Sequence, residues 1–286
     1  MGGHATRRQL LLSTTVLVAA LTGYGRRAYG QCVPDPAPPN FTCSGANIDT
    51  QTINEDDATV VTVDGFSVDT TAAGGSGGNA ITITGEGELS YTDVYMSPLT
   101  AENTGLYIRS TDDSDEPGSV TINTNGNIEG DDSYDGIYAR NDGSGAISIT
   151  ANGTIGGEID NGIYARNAGA SLSVVTGGTV EADDFGIQAR NYGDAALTIE
   201  TGGDVTGATL YGIFARNYGT TLSVTTAGTT SGGTGIRAQN DGSQALTVTA
   251  NGDVTGAGGY GIYAQNGLFF DPSGNGLTVT TGARAP

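Results

Sequence analysis

Short segments in which apolar and polar residues alternate recur along the chain from residue 60 onward. Residues 136–141 read Gly-Ile-Tyr-Ala-Arg-Asn, so the isoleucine and alanine would point to one face of a strand and the tyrosine and arginine to the other. Residues 146–150, Ala-Ile-Ser-Ile-Thr, alternate in the same way. A period of two predicts β-strands that each bury one face.

These segments belong to a repeat of about 25 residues. The first segment has seven related copies, which begin at Gly105, Gly136, Gly162, Gly186, Gly212, Gly235 and Gly261. Their starts lie 31, 26, 24, 26, 23 and 26 residues apart. A second alternating segment follows each copy, and a third, shorter one follows at Ile128, Ile155, Val180, Val205 and Val254. Residues 60–63 and 80–84 resemble earlier, irregular copies.

Three short strands per repeat predict an all-β fold, a parallel β-helix (β-solenoid) of about eight to nine coils over residues 58–286. One repeat cannot bury its apolar faces alone, whereas stacked coils would place Ile137 on Ile163 and Ile163 on Ile187. A coil spacing of about 4.8 Å gives a rod on the order of 40 Å long. A propeller would need about 40 residues per blade, so it fits less well.

The corners of the predicted solenoid carry asparagine or glycine. Asparagine follows the strand in six copies, at Asn141, Asn167, Asn191, Asn217, Asn240 and Asn266. Stacked side-chain amides can form a hydrogen-bonded ladder, and asparagine also tolerates the left-handed backbone of sharp corners. Glycine marks a second corner, at Gly126, Gly153, Gly178, Gly203 and Gly252.

The first 30 residues predict a signal peptide. Arg7 and Arg8 precede an apolar stretch at 10–22, and Ala-Tyr-Gly at 28–30 supplies small residues at the cleavage site. The apolar stretch is shorter than the roughly 20 residues that a spanning helix needs. Because Thr-Arg-Arg-Gln-Leu at 6–10 also resembles a twin-arginine signal, the general and the twin-arginine export routes both stay open.

Charge and composition limit the chemistry of the exported chain. Residues 31–286 contain 31 acidic residues, seven arginines, no lysine and no histidine, for a net charge of −24. So acidic a chain argues against nucleic acid as a partner. Without histidine and lysine, neither a serine–histidine–aspartate triad nor a serine–lysine dyad can form. We therefore expect no catalysis of those kinds, and no cofactor.

The only two cysteines, Cys32 and Cys43, follow the predicted cleavage point. In an exported protein their default state is a disulfide, and two cysteines without histidine make a poor zinc site. We expect a disulfide-containing N-terminal cap over residues 31–57.

The export signal, the Cys-Val-Pro-Asp-Pro-Ala-Pro-Pro-Asn-Phe-Thr-Cys segment at 32–43 and the Gly-Ile-Tyr-Ala-Arg-Asn coils together resemble the passenger domain of bacterial autotransporters. The resemblance covers nearly the whole chain. It implies a pertactin-like, right-handed β-helix on the surface of a Gram-negative cell, commonly an adhesin. We therefore expect a surface adhesin or a cell-surface scaffold without catalysis. The family's C-terminal translocator barrel has no counterpart before Pro286, so we expect that barrel to be missing or separate, and no membrane insertion by this chain.

Two outward rows give the candidate ligand face. The predicted face consists of Tyr107, Arg109, Tyr138, Arg140, Tyr164, Arg166, Arg190, Phe214, Arg216 and Tyr263. Tyrosine and arginine are enriched in binding hot spots, and an anionic partner would find almost no other cation, since only Arg237 and Arg284 remain. The expected partner is a glycan or a protein on a host or neighbouring cell. The alternative role for the rows is structural, with arginine stems covering the sheet.

Acidic and hydroxyl residues supply the remaining candidates. A carboxylate-dependent polysaccharide hydrolase or lyase could use paired acids near the longest repeat, at Asp112, Asp113, Asp115, Glu116, Asp131, Asp132 and Asp135. A calcium ion could bind at 131–132 or 183–184. A row of Thr198, Ser223, Thr247 and Thr278 resembles ice-binding arrays, although threonine is also an ordinary outward strand residue.

Overall fold

The computed structural model describes residues 31–111, 117–131, 134–267 and 276–282. These residues form 27 β-strands and no helix, so none of them provides a helix that could cross a membrane. The predicted signal peptide, residues 1–30, lies outside the described residues. The strands stack in three columns, and successive coils pair in parallel, as the repeat predicts.

The first column holds the second alternating segment of each repeat. Its strands are β2 (Asn40–Ser44), β5 (Thr59–Thr62), β8 (Glu88–Asp93), β11 (Ser119–Thr124), β14 (Ile147–Ala151), β17 (Leu172–Thr176), β20 (Leu197–Thr201), β22 (Leu222–Thr226), β24 (Leu246–Ala250) and β27 (Leu277–Thr281). Before them, β1 (Gln31–Pro34) pairs antiparallel with β2.

The second column holds short strands, and the third holds the Gly-Ile-Tyr-Ala-Arg-Asn strands. The second column comprises β3 (Ala46–Asn47), β6 (Ser67–Asp69), β9 (Leu99–Ala101), β12 (Ile128–Gly130), β15 (Ile155–Gly157), β18 (Val180–Ala182) and β25 (Val254–Gly256). The third comprises β4 (Gln51–Asn54), β7 (Ile81–Gly85), β10 (Leu106–Ser110), β13 (Ile137–Asn141), β16 (Asn161–Asn167), β19 (Phe185–Asn191) and β26 (Ile262–Asn266). Two long strands, β21 (Val205–Asn217) and β23 (Thr230–Asn240), run through both columns.

Each strand pairs with its own copy one coil away, which gives about nine coils and confirms the predicted solenoid. Ile137 pairs with Leu106 on one side and Ile163 on the other. The inward isoleucine and alanine of the third column are fully buried in coil after coil. Burial of each such isoleucine contributes about 1.5–3 kcal/mol, so the interior stack is the main source of stability.

The corner asparagines form the predicted ladder. The side-chain Nδ2 of Asn167 donates to Oδ1 of Asn191 at 3.1 Å, and Asn191 donates to Asn217 at 3.0 Å. Each also donates to a carbonyl four residues later, as Asn191 does to Ala195 at 3.2 Å. The left-handed backbone suggested for these positions is wrong, because none of the ladder asparagines has a positive φ. Their buried amides, and not their backbone freedom, account for the choice of asparagine.

The second corner uses glycine because neighbouring coils approach closely there. A Cβ on Gly153 would lie 2.2 Å from the carbonyl oxygen of Gly126, and a Cβ on Gly178 would lie 2.3 Å from that of Gly153. No side chain fits at such distances, so these coils require glycine at this position.

The N-terminal segment is cross-linked as predicted. Cys32 and Cys43 form a disulfide and occupy paired positions of β1 and β2. β2, β3 and β4 pair in parallel with β5, β6 and β7. β1 therefore covers the edge of the first-column sheet at this end.

Candidate functional site

The outward side chains of the third column form two neighbouring rows, which we call the stripe. All ten predicted face residues lie on it. The first row contains, in register, Tyr107, Tyr138, Tyr164, Gln188, Phe214, Arg237 and Tyr263. The second contains Arg109, Arg140, Arg166, Arg190, Arg216, Gln239 and Gln265. The stripe is continuous because every coil presents the same outward positions at about 4.8 Å intervals.

Tyrosine rings stack at the first three positions of the stripe. The ring centroids of Tyr107 and Tyr138 lie 4.6 Å apart with planes 3° from parallel, and those of Tyr138 and Tyr164 lie 5.0 Å apart. Burial raises the pKa of both Tyr107 and Tyr164 above the ordinary tyrosine value, so both phenols stay neutral at physiological pH. The stack presents neutral, half-buried aromatic surface.

Three arginines of the second row converge on one carboxylate. Asp142 lies 3.1 Å from Arg109 Nη2, 2.8 Å from Arg140 Nε and 3.6 Å from Arg166 Nη1. Burial acts to raise the pKa of Asp142, but the hydrogen bonds from Arg140 and Arg109 outweigh it and hold that pKa below its ordinary value. Because one carboxylate faces three guanidinium groups, this part of the stripe keeps a net positive charge.

Two exposed tyrosines beside the stripe were missed by the sequence analysis. Tyr192 and Tyr218 stack with centroids 5.0 Å apart and remain 42% and 37% exposed. The guanidinium carbon of Arg166 lies 5.0 Å from the Tyr192 ring, and that of Arg216 lies 4.6 Å from the Tyr218 ring. Both tyrosines directly follow a ladder asparagine, at the position that Asp142 fills in another coil, so that position was the available signal.

Toward β26 the arginines of the stripe contact aromatic rings as well as aspartate. Arg216 pairs with Asp241 at 2.8 Å, whereas Arg190 forms no ion pair within the described ranges and lies 5.2 Å from the Phe214 ring. Phe214 is only 9% exposed, less than an outward position would suggest, since neighbouring rings and arginines cover it. Arg237, set apart from the rows in the sequence analysis, occupies the first row between Phe214 and Tyr263.

All the arginines that the structure describes lie on this one stripe. They are Arg109, Arg140, Arg166, Arg190, Arg216 and Arg237. Within the stripe their ion pairs involve only Asp142 and Asp241. On a chain with a net charge of −20, the stripe therefore concentrates positive charge between aromatic rings.

An acidic groove runs along the short strands of the second column. It has a volume of about 670 Å³, and its carboxylates are Glu129, Asp131, Glu158, Glu181 and Asp183. Among the carboxylates predicted for catalysis, Asp112, Asp113, Asp115, Glu116 and Asp132 lie outside the described residues. Within the described ranges, no three acidic, histidine or cysteine side chains come together as a metal site. Asp184, proposed above for calcium, instead accepts a hydrogen bond from Thr209 Oγ1 at 2.8 Å.

Asp135 lies next to this region but is buried. Asn161 Nδ2 donates to its Oδ1 at 2.6 Å, and the residue is 7% exposed. Burial raises the pKa of Asp135 to about 7. Its carboxyl therefore changes protonation near neutral pH inside the wall of the solenoid.

The predicted hydroxyl row also exists. Thr198, Ser223, Thr247 and Thr278 pair in register along the first column. They face outward on a column that carries no arginine, so they form a surface separate from the stripe.

Comparison with protein-family models, with curated proteins and with solved structures found no match. The parallel β-solenoid fold is consistent with a pertactin-like passenger, and the chain carries the Cys32–Cys43 disulfide near its start.

Proposed function

We propose that the chain is an exported passenger solenoid of the autotransporter type, which acts by binding and whose stripe docks an extended anionic glycan at a cell surface. One observation carries this proposal: the described arginines all lie on one face, interleaved with aromatic rings, on an otherwise acidic rod. The Cys32–Cys43 disulfide is typical of oxidising compartments and supports export.

The form of the stripe favours a long ligand. Repeated side chains at coil spacing offer many equal, weak contacts, and such contacts add along a polymer. Guanidinium groups donate charge-assisted hydrogen bonds to carboxylates or sulfates, while ring faces accept the apolar faces of sugars. Binding should weaken in salt, because part of the attraction is between exposed charges.

The test compares four polymers on immobilised residues 31–286: polygalacturonate, sulfated dextran, neutral dextran and polyglutamate. We expect the two anionic glycans to bind and the neutral glycan to bind at least tenfold more weakly. Polyglutamate, which has charge without sugar rings, should also bind weakly. Equal binding of polyglutamate and polygalacturonate would contradict a role for the aromatic rings.

The variant for this test is Tyr138→Ser, Tyr164→Ser and Arg166→Gln together. Arg166 is chosen because its 3.6 Å contact with Asp142 is the longest of the three, so its loss disturbs the fold least. The matched control replaces the hydroxyl row, with Thr198→Ala, Ser223→Ala and Thr247→Ala. We expect the first variant to lose at least tenfold in affinity, about 1.4 kcal/mol, and the control to bind normally. Undiminished binding by a stripe variant with a native circular dichroism spectrum would reject the stripe.

A second candidate is a polysaccharide-cleaving enzyme that uses the acidic groove. The supporting observation is that five carboxylates line one open groove of about 670 Å³, and glycosidases place a pair of acids across the scissile bond. The assay is release of reducing ends from a panel of polysaccharides. Turnover that disappears in both Asp131→Asn and Glu158→Gln would favour the enzyme over the binding protein.

A further inference from the structure

Arg237 is held in the aromatic row by its neighbours. Its guanidinium carbon lies 5.5 Å from the ring centroid of Tyr263, 5.6 Å from that of Phe214 and 5.7 Å from that of Tyr211. Its Nη1 donates to the Tyr211 hydroxyl at 3.0 Å. Three rings and one hydrogen bond therefore fix the guanidinium before any ligand arrives.

The charge of Arg237 is not neutralised within the described part of the chain. Four other stripe arginines pair with Asp142 or Asp241, but Arg237 forms no ion pair there. Its Nε is shielded from solvent and has no hydrogen-bond partner. A partly desolvated cation without a counter-charge is costly, so binding of an anion here would be favourable.

A cavity opens directly beside this guanidinium. It has a volume of about 250 Å³ and is lined by Tyr211, Thr234, Arg237, Tyr260 and Tyr263. Tyr260 and Tyr263 form an angled aromatic wall, with centroids 5.6 Å apart and planes inclined by 50°. The volume is below the roughly 300–1,000 Å³ of pockets that hold drug-sized ligands, so it suits one sugar ring.

We propose that this cavity is the subsite that selects a carboxylated pyranose, such as a uronate, within the glycan bound by the stripe. The inference rests on the proposed function. The planar guanidinium matches a carboxylate, the tyrosine wall receives a ring face, and the Thr234 hydroxyl hydrogen-bonds a sugar hydroxyl. Arg190 also forms no ion pair within the described residues, but Arg237 combines an unpaired guanidinium with a cavity lined by tyrosines.

The experiment titrates residues 31–286 with single sugars and follows amide shifts by NMR. The probes are glucuronate, galacturonate and N-acetylneuraminate, with glucose, galactose and glucose 6-sulfate for comparison. We expect at least one sugar acid to bind with a Kd on the order of 1 mM, at least tenfold more tightly than the neutral sugars. The inference fails if no sugar acid binds, if a neutral sugar binds as well, or if the sulfate binds more tightly than every acid.

Variants locate the site. Arg237→Gln should lower the affinity for the sugar acid at least tenfold, and Tyr263→Leu should lower it while keeping the cation. Asn251→Asp is the matched control, since it changes the net charge by the same −1 at an exposed corner between β24 and β25. Circular dichroism verifies the fold of each variant. Wild-type affinity in both Arg237→Gln and Tyr263→Leu would overturn the assignment.

The two proposals fail in distinguishable ways. Suppose that polygalacturonate binding is lost in the Tyr138/Tyr164/Arg166 variant but the affinity for single sugars is unchanged in Arg237→Gln. The proposed subsite is then wrong, and the stripe remains the docking surface. If single sugars bind through Arg237 but no polymer binds, the subsite stands and the extended docking surface is wrong.

Discussion

Asn191 shows what one buried polar side chain does in this fold. It accepts from Asn167 through Oδ1, and its Nδ2 donates both to Asn217 and to the carbonyl of Ala195. It thereby joins three successive coils and closes its own corner. Because these groups are shielded from water, loss of one asparagine leaves hydrogen-bonding groups of the asparagines on both sides unpaired.

We therefore expect Asn191→Ala to lower the free energy of unfolding by about 1–3 kcal/mol, the usual cost of leaving buried polar groups unpaired. Urea unfolding followed by circular dichroism measures the effect. Asn251→Ala, at an exposed corner, is the control and should change stability by less than about 0.5 kcal/mol. Equal effects of the two substitutions would show that the ladder contributes nothing specific.

Thr201 gives the opposite expectation. Its Oγ1 is buried without a hydrogen-bond partner, as are those of Thr176 and Thr226, which stack on it in register. Valine has nearly the same shape and no hydroxyl to desolvate, so Thr201→Val should raise the free energy of unfolding by about 1 kcal/mol. The exposed-face substitution Thr198→Val is the comparison. A loss of stability in Thr201→Val would mean that the hydroxyl has a partner in solution.

At the scale of elements, β13 begins two residues after Asp135, a carboxyl whose pKa is raised by burial. The pKa of Asp135 is about 7 in the folded chain, mainly through burial, against an ordinary value of 3.8. Between about pH 4 and pH 7 the unfolded chain releases a proton that the folded chain retains. This residue therefore favours folding less and less as pH rises through that window, and its penalty is complete above pH 7.

Asp135→Asn is uncharged in both states and should remove this dependence. Relative to the variant, the wild-type free energy of unfolding should fall by about 4 kcal/mol between pH 4 and pH 8. Burial also raises the pKa of Asp160, which makes the remaining pH dependence run in the same direction. Urea titrations of both proteins at several pH values provide the measurement. Parallel profiles would place the Asp135 carboxyl in contact with water.

Much of the architecture could be predicted because each strand type recurs with nearly the same sequence in every repeat. Alternation with a period of two identified the strands, and the copy spacing gave the coil number and the register of the two rows. In β21 and β23 the short second-column strand and the third-column strand are continuous. This could not be predicted, since it depends on the irregular pairing of the two strands between Gly207 and Tyr211.

The candidate site was predictable in its rows but not in its lateral contacts. Three arginines share Asp142 across coils, and Arg237 is surrounded by rings from β21 and β26. Apart from Arg140 and Asp142, which are two positions apart, these contacts join residues 20 or more positions apart in neighbouring coils. Which arginines of the stripe pair with an aspartate and which do not was therefore known only from the structure.

At the scale of the whole molecule, charge is unevenly distributed. The sequence has 31 acidic and 11 basic residues, and the described arginines all lie on the stripe. The other surfaces therefore carry acids with few cations beside them. Mutual repulsion among these acids opposes the compact state, whereas the ion pairs of the stripe involve only the partly buried Asp142 and the nearly buried Asp241.

Screening this repulsion should stabilise the rod. The Debye length falls from about 30 Å at 0.01 M salt to about 10 Å at 0.1 M and 3 Å at 1 M, so added NaCl should raise the Tm in the absence of any ligand. High salt also strengthens apolar burial in some cases, so the salt effect alone does not isolate the contribution of charge repulsion.

The variant Glu200→Gln isolates the contribution of charge repulsion. Glu200 is exposed on the first column, and its replacement removes one negative charge from the acidic surface. The variant should melt above the wild type at 0.01 M NaCl, and the difference should vanish at 1 M. A difference in Tm that is the same at all three salt concentrations would show that the acids of the rod do not repel one another appreciably.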